Sequence, residues 1–249
     1  VKQTYKPQSP ELDEIFNKLF KNEKKEYFKT HFSIIENKKN EVISYLNKIT
    51  SKNVDNMIPI IYKIAIEYNL TEFIIEYIFK LCTQQTIYCT FYVKIVKYFI
   101  NTLADNTGIT DFIKQKCLDF KKISSVNSIK DNKELSYDEF CENNKLKIYK
   151  KGYSQFLGEL FLNNIIDYTV ISDILSTLLT DINHIINTKD DLFIEDIIIC
   201  IDKLSCTLID RMNIYDKKNI IKNLENIINI DILSRRLKFK IMDLKDKLQ

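Results

Sequence analysis

Glycine and proline are almost absent from this chain, and their scarcity restricts its fold more than any other feature. Only three residues of each type occur among 249. Sandwiches, barrels and doubly wound sheets depend on glycine and proline at their many turns, so these folds are disfavoured. Gly108, Gly152 and Gly158 are also too far apart to form a glycine-rich phosphate loop. The sequence therefore predicts long helices in an all-α protein.

Apolar residues recur with helical spacing along most of the chain. From Glu41 onward, stretches with apolar residues at i, i+3, i+4 and i+7 alternate with short polar connections. Their starts are spaced like helical hairpins of about 40 residues and lie near residues 51, 86, 144, 192 and 231. Because one hairpin cannot bury its apolar face alone, neighbouring hairpins must stack. We predict a right-handed α-solenoid of about five HEAT-like helical hairpins, with a globular helical bundle as the alternative.

Two stretches of the chain depart from this pattern. Residues 1–40 are predicted to form an N-terminal arm and a short helix, because Pro7 blocks a helix at the start. Residues 121–143 lose the apolar spacing and are rich in Ser, Asn, Asp, Lys and Glu, so we predict a mobile insertion there. The HEAT-repeat domain then covers residues 41–249. A chain that begins at Val1 rather than Met is expected to be a segment of a longer protein.

The residues that enzymes and metal sites need are scarce. The chain has two histidines, His31 and His184, and six cysteines, none of which form the closely spaced pairs of a zinc site. We therefore expect a protein that is not an enzyme, with no metal, no cofactor and six free thiols in a reducing compartment. No apolar run reaches the roughly 18 residues that a membrane span requires. A cytoplasmic protein without a membrane partner is expected.

Charge is distributed unevenly, although the net charge is only +3. One lysine cluster lies at the start of a predicted helix and contains Lys145, Lys147, Lys150 and Lys151. The last predicted helix carries a second basic cluster, which contains Arg235, Arg236, Lys238 and Lys240. Residues 167–196, by contrast, carry seven acidic residues and Lys189 as the only basic one. Solvated helix faces would explain any single cluster, but together the clusters indicate a scaffold with separate contact surfaces.

Three segments of the sequence, taken in order, resemble a known family. The first is Leu46-Asn47-Lys48-Ile49-Thr50, followed by Ile64-Ala65 and Ile78-Phe79-Lys80. The second is Tyr153-Ser154-Gln155-Phe156-Leu157-Gly158-Glu159-Leu160-Phe161, and the third is Leu233-Ser234-Arg235-Arg236-Leu237-Lys238-Phe239-Lys240-Ile241-Met242-Asp243-Leu244. Together they resemble the middle domain of eukaryotic translation initiation factor 4G. The second is similar to its helix with the core Phe-Ile-Gly-Glu-Leu, and the resemblance spans roughly residues 42–248.

The resemblance implies partners as well as a fold. That middle domain binds RNA and a DEAD-box RNA helicase of the initiation factor 4A type, so the same two partners are expected here, in translation initiation. Other initiation factors would bind through regions outside this segment. The segment Thr4-Tyr5-Lys6-Pro7 is similar to the Ala-Trp-Lys-Pro that often precedes the domain in that factor, with Tyr5 in place of Trp.

These expectations assign roles to particular residues. Tyr5 and Pro7 are expected to contact the helicase at the N-terminal end. A second helicase contact is expected at the C-terminal end, through Arg235, Arg236, Lys238 and Phe239. Phe239 would be either an apolar anchor for the helicase or a core residue of the last helix.

RNA binding is expected through phosphate contacts without sequence preference. The residues expected to make these contacts are the first lysine cluster, Lys145, Lys147, Lys150 and Lys151, and the basic stretch 18–52. Two other functions fit the same fold. One is a scaffold in mRNA decay or splicing, and the other is a HEAT adaptor that binds only proteins.

Overall fold

The computed structural model describes residues 22–124, 136–185, 191–229 and 233–249, with side chains from residue 33 onward except those of residues 185 and 191. These ranges form ten α-helices and a 3₁₀ turn, Thr86–Tyr88, and contain no β-strand. The helices are α1 (Asn22–Asn47), α2 (Val54–Glu67), α3 (Thr71–Gln84), α4 (Cys89–Thr102), α5 (Thr107–Ser124), α6 (Tyr137–Leu162), α7 (Tyr168–Ile185), α8 (Asp191–Leu208), α9 (Ile214–Ile228) and α10 (Arg235–Leu248). The predicted all-α class is confirmed.

Each helix packs mainly against its near neighbours in the chain. Helices α1, α3, α6, α8 and α10 contact one another in that order and form one row. Helices α5, α7 and α9 form a second row that packs against the first, while α2 and α4 pack against each other and against α3. The most extensive contacts of the 26-residue helix α6 are with α3 and α8. Helix α6 therefore connects the earlier helices to the later ones.

Two polar stretches are helical although their apolar spacing is weak; for residues 21–40 the sequence predicts either a loop or a weak helix. Residues 22–40, predicted as part of the N-terminal arm, belong to α1. The edges of the predicted insertion are also helical, because residues 121–124 end α5 and residues 137–143 begin α6. Residues 125–135 lie outside the described residues. The domain boundary at residue 40 and the insertion limits of 121 and 143 therefore do not coincide with helix ends.

A capping box explains why α6 begins in so polar a sequence. The Ser136 hydroxyl oxygen accepts a hydrogen bond from the Glu139 amide at 3.3 Å, and the Glu139 carboxylate accepts one from the Ser136 amide at 2.9 Å. This reciprocal pair satisfies backbone donors at the helix start. The first turns of α6 are largely exposed, so they need no apolar stripe. A prediction from apolar spacing alone places the start of this helix too late.

One continuous core of Ile, Leu, Val, Phe and Tyr side chains runs through the protein, and every helix contributes to it. All six cysteines are free, as predicted, and four of them are buried, namely Cys82, Cys89, Cys117 and Cys200. Burial raises the pKa of Cys200 to about 11 and that of Cys117 to about 12, so both thiols stay protonated near neutral pH. Among the described residues, no group of His, Cys, Asp and Glu side chains could hold a metal ion. No described helix is both long enough and apolar enough to span a bilayer.

Two of the three glycines allow α6 to approach its neighbours closely. A Cβ atom added at Gly152 would lie 2.4 Å from the Thr83 carbonyl oxygen of α3. A Cβ atom added at Gly158 would lie 2.7 Å from the Thr207 methyl carbon of α8. Gly108, near the start of α5, has no such neighbour within 4 Å. Helix α6 is therefore packed too tightly at Gly152 and Gly158 to accept a side chain without a shift.

The contact at Gly152 predicts a difference between two glycine substitutions. Gly152→Ala should lower the free energy of unfolding by about 1–3 kcal/mol, because the new methyl group meets backbone atoms that cannot rotate away. Gly108→Ala is the matched control and should be neutral or slightly stabilising, since alanine favours helix and the space is open. Chemical denaturation of the two variants and the parent measures both values. Equal effects of the two substitutions would contradict the close approach of α3 and α6.

Candidate partner-binding surface

Helix α10 has a buried side and an exposed side that carry different chemistry. Its N-cap is Ser234, whose hydroxyl oxygen accepts a hydrogen bond from the Leu237 amide at 3.4 Å. Four apolar residues at helical spacing are buried against the rest of the protein, namely Leu237, Ile241, Leu244 and Leu248. The register set by these residues decides which side chains of α10 face outward.

The outward side of α10 presents two large apolar residues among basic ones. Phe239 is 64% exposed and Met242 is 45% exposed. Arg235 is exposed and lies one helical turn before Phe239, while Lys238 is half-buried and lies one turn before Met242. We call Arg235, Lys238, Phe239 and Met242 the α10 face. Core packing of Phe239 within this domain, one of the two roles expected for it, is excluded by its exposed position.

Two other basic residues of α10, Arg236 and Lys240, bind a buried acidic pair of α8. Glu195 is only 6% exposed and Asp196 only 4% exposed. Arg236 Nη2 lies 3.1 Å from Glu195 Oε1, and Lys240 forms an ion pair with the same oxygen. Arg236 and Lys240 therefore attach α10 to α8.

The same two carboxylates also bind lysines of α6. Lys147 Nζ lies 3.3 Å from Asp196 Oδ1 and 3.7 Å from Glu195 Oε1. Lys150 Nζ lies 3.8 Å from Asp196 Oδ2 and 5.3 Å from the centre of the Phe193 ring. We call these six residues the ionic cluster, which consists of Lys147, Lys150, Glu195, Asp196, Arg236 and Lys240. It joins α6, α8 and α10.

Electrostatics in the ionic cluster favour the charged carboxylate of Glu195. Burial alone would raise its pKa, but the hydrogen bond from Lys240 and the charges of Lys147, Lys240 and Arg236 outweigh burial and lower the pKa below its usual value. The pKa of Lys150 is also lowered, because burial disfavours its charged form more than Asp196 favours it. Glu195 is therefore ionised at neutral pH and stabilises the fold as an anion.

The ionic cluster corrects the predicted RNA site. Lys150 is 1% exposed and is turned toward Asp196, so its ammonium cannot meet a phosphate at the surface. Lys147 is engaged by both carboxylates. Lys145 and Lys151 are exposed, but they lie on different sides of α6, because six residues correspond to about 600° of helical rotation. The four lysines that are close in sequence therefore do not form one basic patch.

Lys151 lines a groove of about 400 Å³ formed by α6, α8 and α10. The lysines along it are Lys147, Lys151, Lys240 and Lys247. Acidic groups balance most of this charge, since Lys147 and Lys240 pair with Glu195 and Lys247 Nζ lies 2.7 Å from Asp202 Oδ1. The groove is therefore less basic than the sequence suggests.

The remaining predicted helicase contacts are distributed differently. Tyr5 and Pro7 lie outside the described residues. Arg236 is exposed over much of its side chain, yet its guanidinium is bound to Glu195. Reversing its charge would disturb the fold as well as any interface, which makes Arg235 the better probe of the α10 face.

Sequence reasoning missed the inward role of Glu195 and Asp196, which it counted in an acidic stretch with surface character. A signal for burial was present. Residues 192–201 read Leu-Phe-Ile-Glu-Asp-Ile-Ile-Ile-Cys-Ile, which is apolar on every side of a helix apart from the two acids. A helix of that kind is central in a protein, and charges within it must be paired.

No protein-family model matches the chain, and no curated protein matches it.

The ionic cluster predicts that Glu195→Gln is less stable than the parent at pH 7 and that this difference depends on pH. Glu195→Gln should lower the free energy of unfolding at pH 7 by roughly 1–3 kcal/mol, because a charge-assisted hydrogen bond and its ion pairs are lost. The folded-state pKa of Glu195 is lowered, so its contribution is complete above the usual value of 4.5 and is lost as the pH falls through the folded-state pKa. The difference from the parent should therefore shrink between pH 7 and pH 3 in denaturation experiments.

A surface ion pair supplies the control for this prediction. Glu225 Oε1 lies 2.8 Å from Lys245 Nζ, and the Glu225 side chain is 50% exposed. Glu225→Gln should change the free energy of unfolding by less than about 1 kcal/mol. A Glu195→Gln variant as stable as Glu225→Gln at pH 7 would contradict the structural role of the ionic cluster.

Proposed function

We propose that this chain is a non-catalytic scaffold of cytoplasmic translation initiation, of the kind found in the middle domain of initiation factor 4G. Its partners would be a DEAD-box RNA helicase of the initiation factor 4A type and RNA. The resemblance of three ordered segments to that domain motivates the proposal. The observation that carries it is the α10 face, where Phe239 and Met242 stand exposed beside Arg235 and Lys238.

The helix contacts support a right-handed α-solenoid of HEAT-like hairpins as the finer description of the fold. The principal contacts join helices no more than three positions apart in the chain. Such local stacking is the packing expected of repeats that each contact only their neighbours. A stiff solenoid would keep separate binding surfaces at fixed positions.

The composition of the α10 face fits a protein interface. Contiguous apolar patches rimmed by polar residues mark interaction sites, and Phe239 and Met242 are adjacent on α10 beside Arg235 and Lys238. Aromatic and arginine side chains dominate the energetics of such sites. The ionic cluster holds α10 against α8 and α6, so the face would not have to become ordered when the partner binds.

Binding to the helicase at two fixed contacts would be enough to stimulate its ATPase activity, and this chain would need no catalytic group of its own. A DEAD-box helicase has two lobes whose closed arrangement is the active one. A scaffold that holds both lobes raises their effective concentration and favours closure. The second helicase contact would be made by the N-terminal arm with Tyr5 and Pro7.

The charge balance of the groove favours one alternative, an adaptor that binds only proteins. Internal carboxylates neutralise three of the four groove lysines, namely Lys147, Lys240 and Lys247. Of the four lysines in the predicted RNA cluster, Lys145 and Lys151 have no carboxylate partner among the described side chains, whereas Lys147 and Lys150 are paired. The two functions differ in whether short RNA binds with a steep dependence on salt.

The α10 face predicts that helicase binding can be separated from folding. Phe239→Ala should weaken binding of a helicase of the initiation factor 4A type by about 30-fold, which corresponds to the ~2 kcal/mol of an interface hot spot. Arg235→Glu should also reduce binding and the stimulation of ATPase activity. Neither variant should lower the melting temperature, because both side chains are exposed.

Tyr215 provides the control for this experiment. It is an aromatic residue of α9 that is 75% exposed, so Tyr215→Ala removes a similar side chain from another surface. That variant should bind and stimulate the helicase like the parent. Full stimulation by both Phe239→Ala and Arg235→Glu would overturn the assignment of the α10 face.

A further inference from the structure

A second concave site lies where α3, α5 and α6 meet, and it shares no residue with the α10 face. Its volume is about 410 Å³, within the range of sites that hold small organic groups. Five aromatic residues contribute to its lining, namely Phe73, Tyr77, Phe79, Tyr149 and Tyr153. We call it the aromatic cleft.

The floor of the aromatic cleft is rigid. Tyr153 is buried, stacks on Phe120 at 5.0 Å between ring centres, and donates a hydrogen bond from its hydroxyl to the Lys116 carbonyl oxygen at 2.5 Å. Phe79 lies 5.7 Å from Tyr153. These contacts tie α3, α5 and α6 together beneath the cleft, so the site exists before any ligand arrives.

Three aromatic residues of the aromatic cleft remain partly accessible. Phe73, Tyr77 and Tyr149 are half-buried. Phe73 and Tyr77 lie nearly parallel, with an interplanar angle of 22°. The hydroxyl groups of Tyr77 and Tyr149 make no hydrogen bond to another described residue, and burial raises the pKa of Tyr149, so this phenol keeps its proton. The cleft thus combines ring surfaces with hydroxyl groups that can still donate and accept hydrogen bonds.

The charges around the aromatic cleft favour an anionic ligand over a cationic one. Lys39 Nζ lies 5.2 Å from the Phe73 ring centre, and Lys80 Nζ lies 5.8 Å from that of Tyr77. These lysines would repel a second cation at either ring. Glu76 Oε1 lies 2.8 Å from Lys116 Nζ, and Asp119 Oδ1 lies 3.5 Å from Lys122 Nζ. Lysines therefore neutralise both acidic residues that line the cleft.

Two lysines near the aromatic cleft have no acidic partner within 4 Å in the described part of the chain. Lys80 lines the cleft directly. Lys145 is exposed and precedes Tyr149 by four residues on α6, which places it on the same side of that helix. Both ammonium groups are therefore available to a negatively charged group bound nearby.

We propose that the aromatic cleft binds a nucleotide of single-stranded RNA, with its base against the tyrosine rings and its phosphates toward Lys80 and Lys145. The planar base of a nucleotide can stack on the rings, and its negatively charged phosphate can bind Lys80 and Lys145, which have no acidic partner within 4 Å in the described part of the chain. Stacking on aromatic side chains is sequence-tolerant, because every base has a π-face. This inference rests on the RNA-binding half of the proposed function, and it gives Lys145 a different neighbourhood from Lys147 and Lys151.

The test measures binding of fluorescein-labelled ten-nucleotide oligo(U) and oligo(A) by anisotropy over a range of salt concentrations. Tyr149→Leu and Tyr77→Leu keep bulk but remove the ring, and each should weaken binding roughly tenfold with an unchanged salt slope. Lys80→Ala and Lys145→Ala should weaken binding and reduce the magnitude of the slope by about 0.7 each, because each phosphate contact releases counterions. The controls are Tyr215→Leu and Lys218→Ala on α9, which should bind like the parent.

Thermal denaturation of each variant accompanies the binding measurements. A variant that binds less RNA but melts with the parent supports a contact in the aromatic cleft. If a tyrosine variant unfolds, Lys80→Ala and Lys145→Ala still test the site, since Lys80 and Lys145 are exposed.

Other outcomes would overturn the inference and separate it from the proposed function. RNA binding by the parent that survives all four cleft variants and disappears in Lys151→Ala would reject the cleft but keep RNA binding. A parent that binds no oligonucleotide at 50 mM salt would reject both, while the helicase test on the α10 face would stand independently. Displacement of the oligonucleotides by AMP or UMP at equal concentration would assign the cleft to free nucleotides and reject single-stranded RNA.

Discussion

Two carboxylates buried in α8 fix the arrangement of the C-terminal half of this protein. A buried carboxylate without a partner costs several kcal/mol, so Glu195 and Asp196 can be accommodated only if other helices bring cations to them. Helix α6 brings Lys147 and Lys150, and α10 brings Arg236 and Lys240. Because ion pairs of this kind depend strongly on geometry, they specify where α10 sits on α8. The exposed side of α10 follows from that position.

Helix α6 divides the lysines of one short segment among different tasks. Lys147 and Lys150 face α8 and neutralise its carboxylates, Lys151 lines the groove, and Lys145 lies on the side of Tyr149. The 100° rotation per residue of an α-helix separates neighbours in sequence onto different faces. A basic cluster in a helical sequence is therefore not evidence for a basic surface until the buried side of the helix is known.

The sequence predicted the helices well where apolar spacing was strong. Ile74, Ile75 and Ile78 in α3 and Leu237 and Ile241 in α10 are buried as their spacing indicates. The spacing left the choice between loop and helix open for residues 22–40 and failed for residues 137–143, because exposed helix turns need caps and propensity but no apolar stripe.

The candidate sites were less predictable than the helices, because their residues come together only through packing. The exposure of Phe239 depends on which side of α10 faces α8, and periodicity alone left the choice between anchor and core open. The aromatic cleft combines residues of α3, α5 and α6, such as Tyr77, Lys116 and Tyr149. Nothing in their sequence spacing indicates that they are neighbours. For Glu195 and Asp196 a signal existed that sequence reasoning missed, since an apolar helix with two acids implies that cations must reach them.

The α10 face and the aromatic cleft are held in place by different packing contacts, so a scaffold could use both surfaces together. The α10 face depends on the ionic cluster, and the aromatic cleft depends on the aromatic packing around Tyr153 and on the close approach at Gly152. Their lining residues lie on no common helix, so occupying one surface need not obstruct the other. Helix α6 belongs to both sets of contacts and packs extensively against α3 and α8. A protein partner on α10 and an RNA strand at the cleft would therefore be held in a fixed relation by one continuous helix.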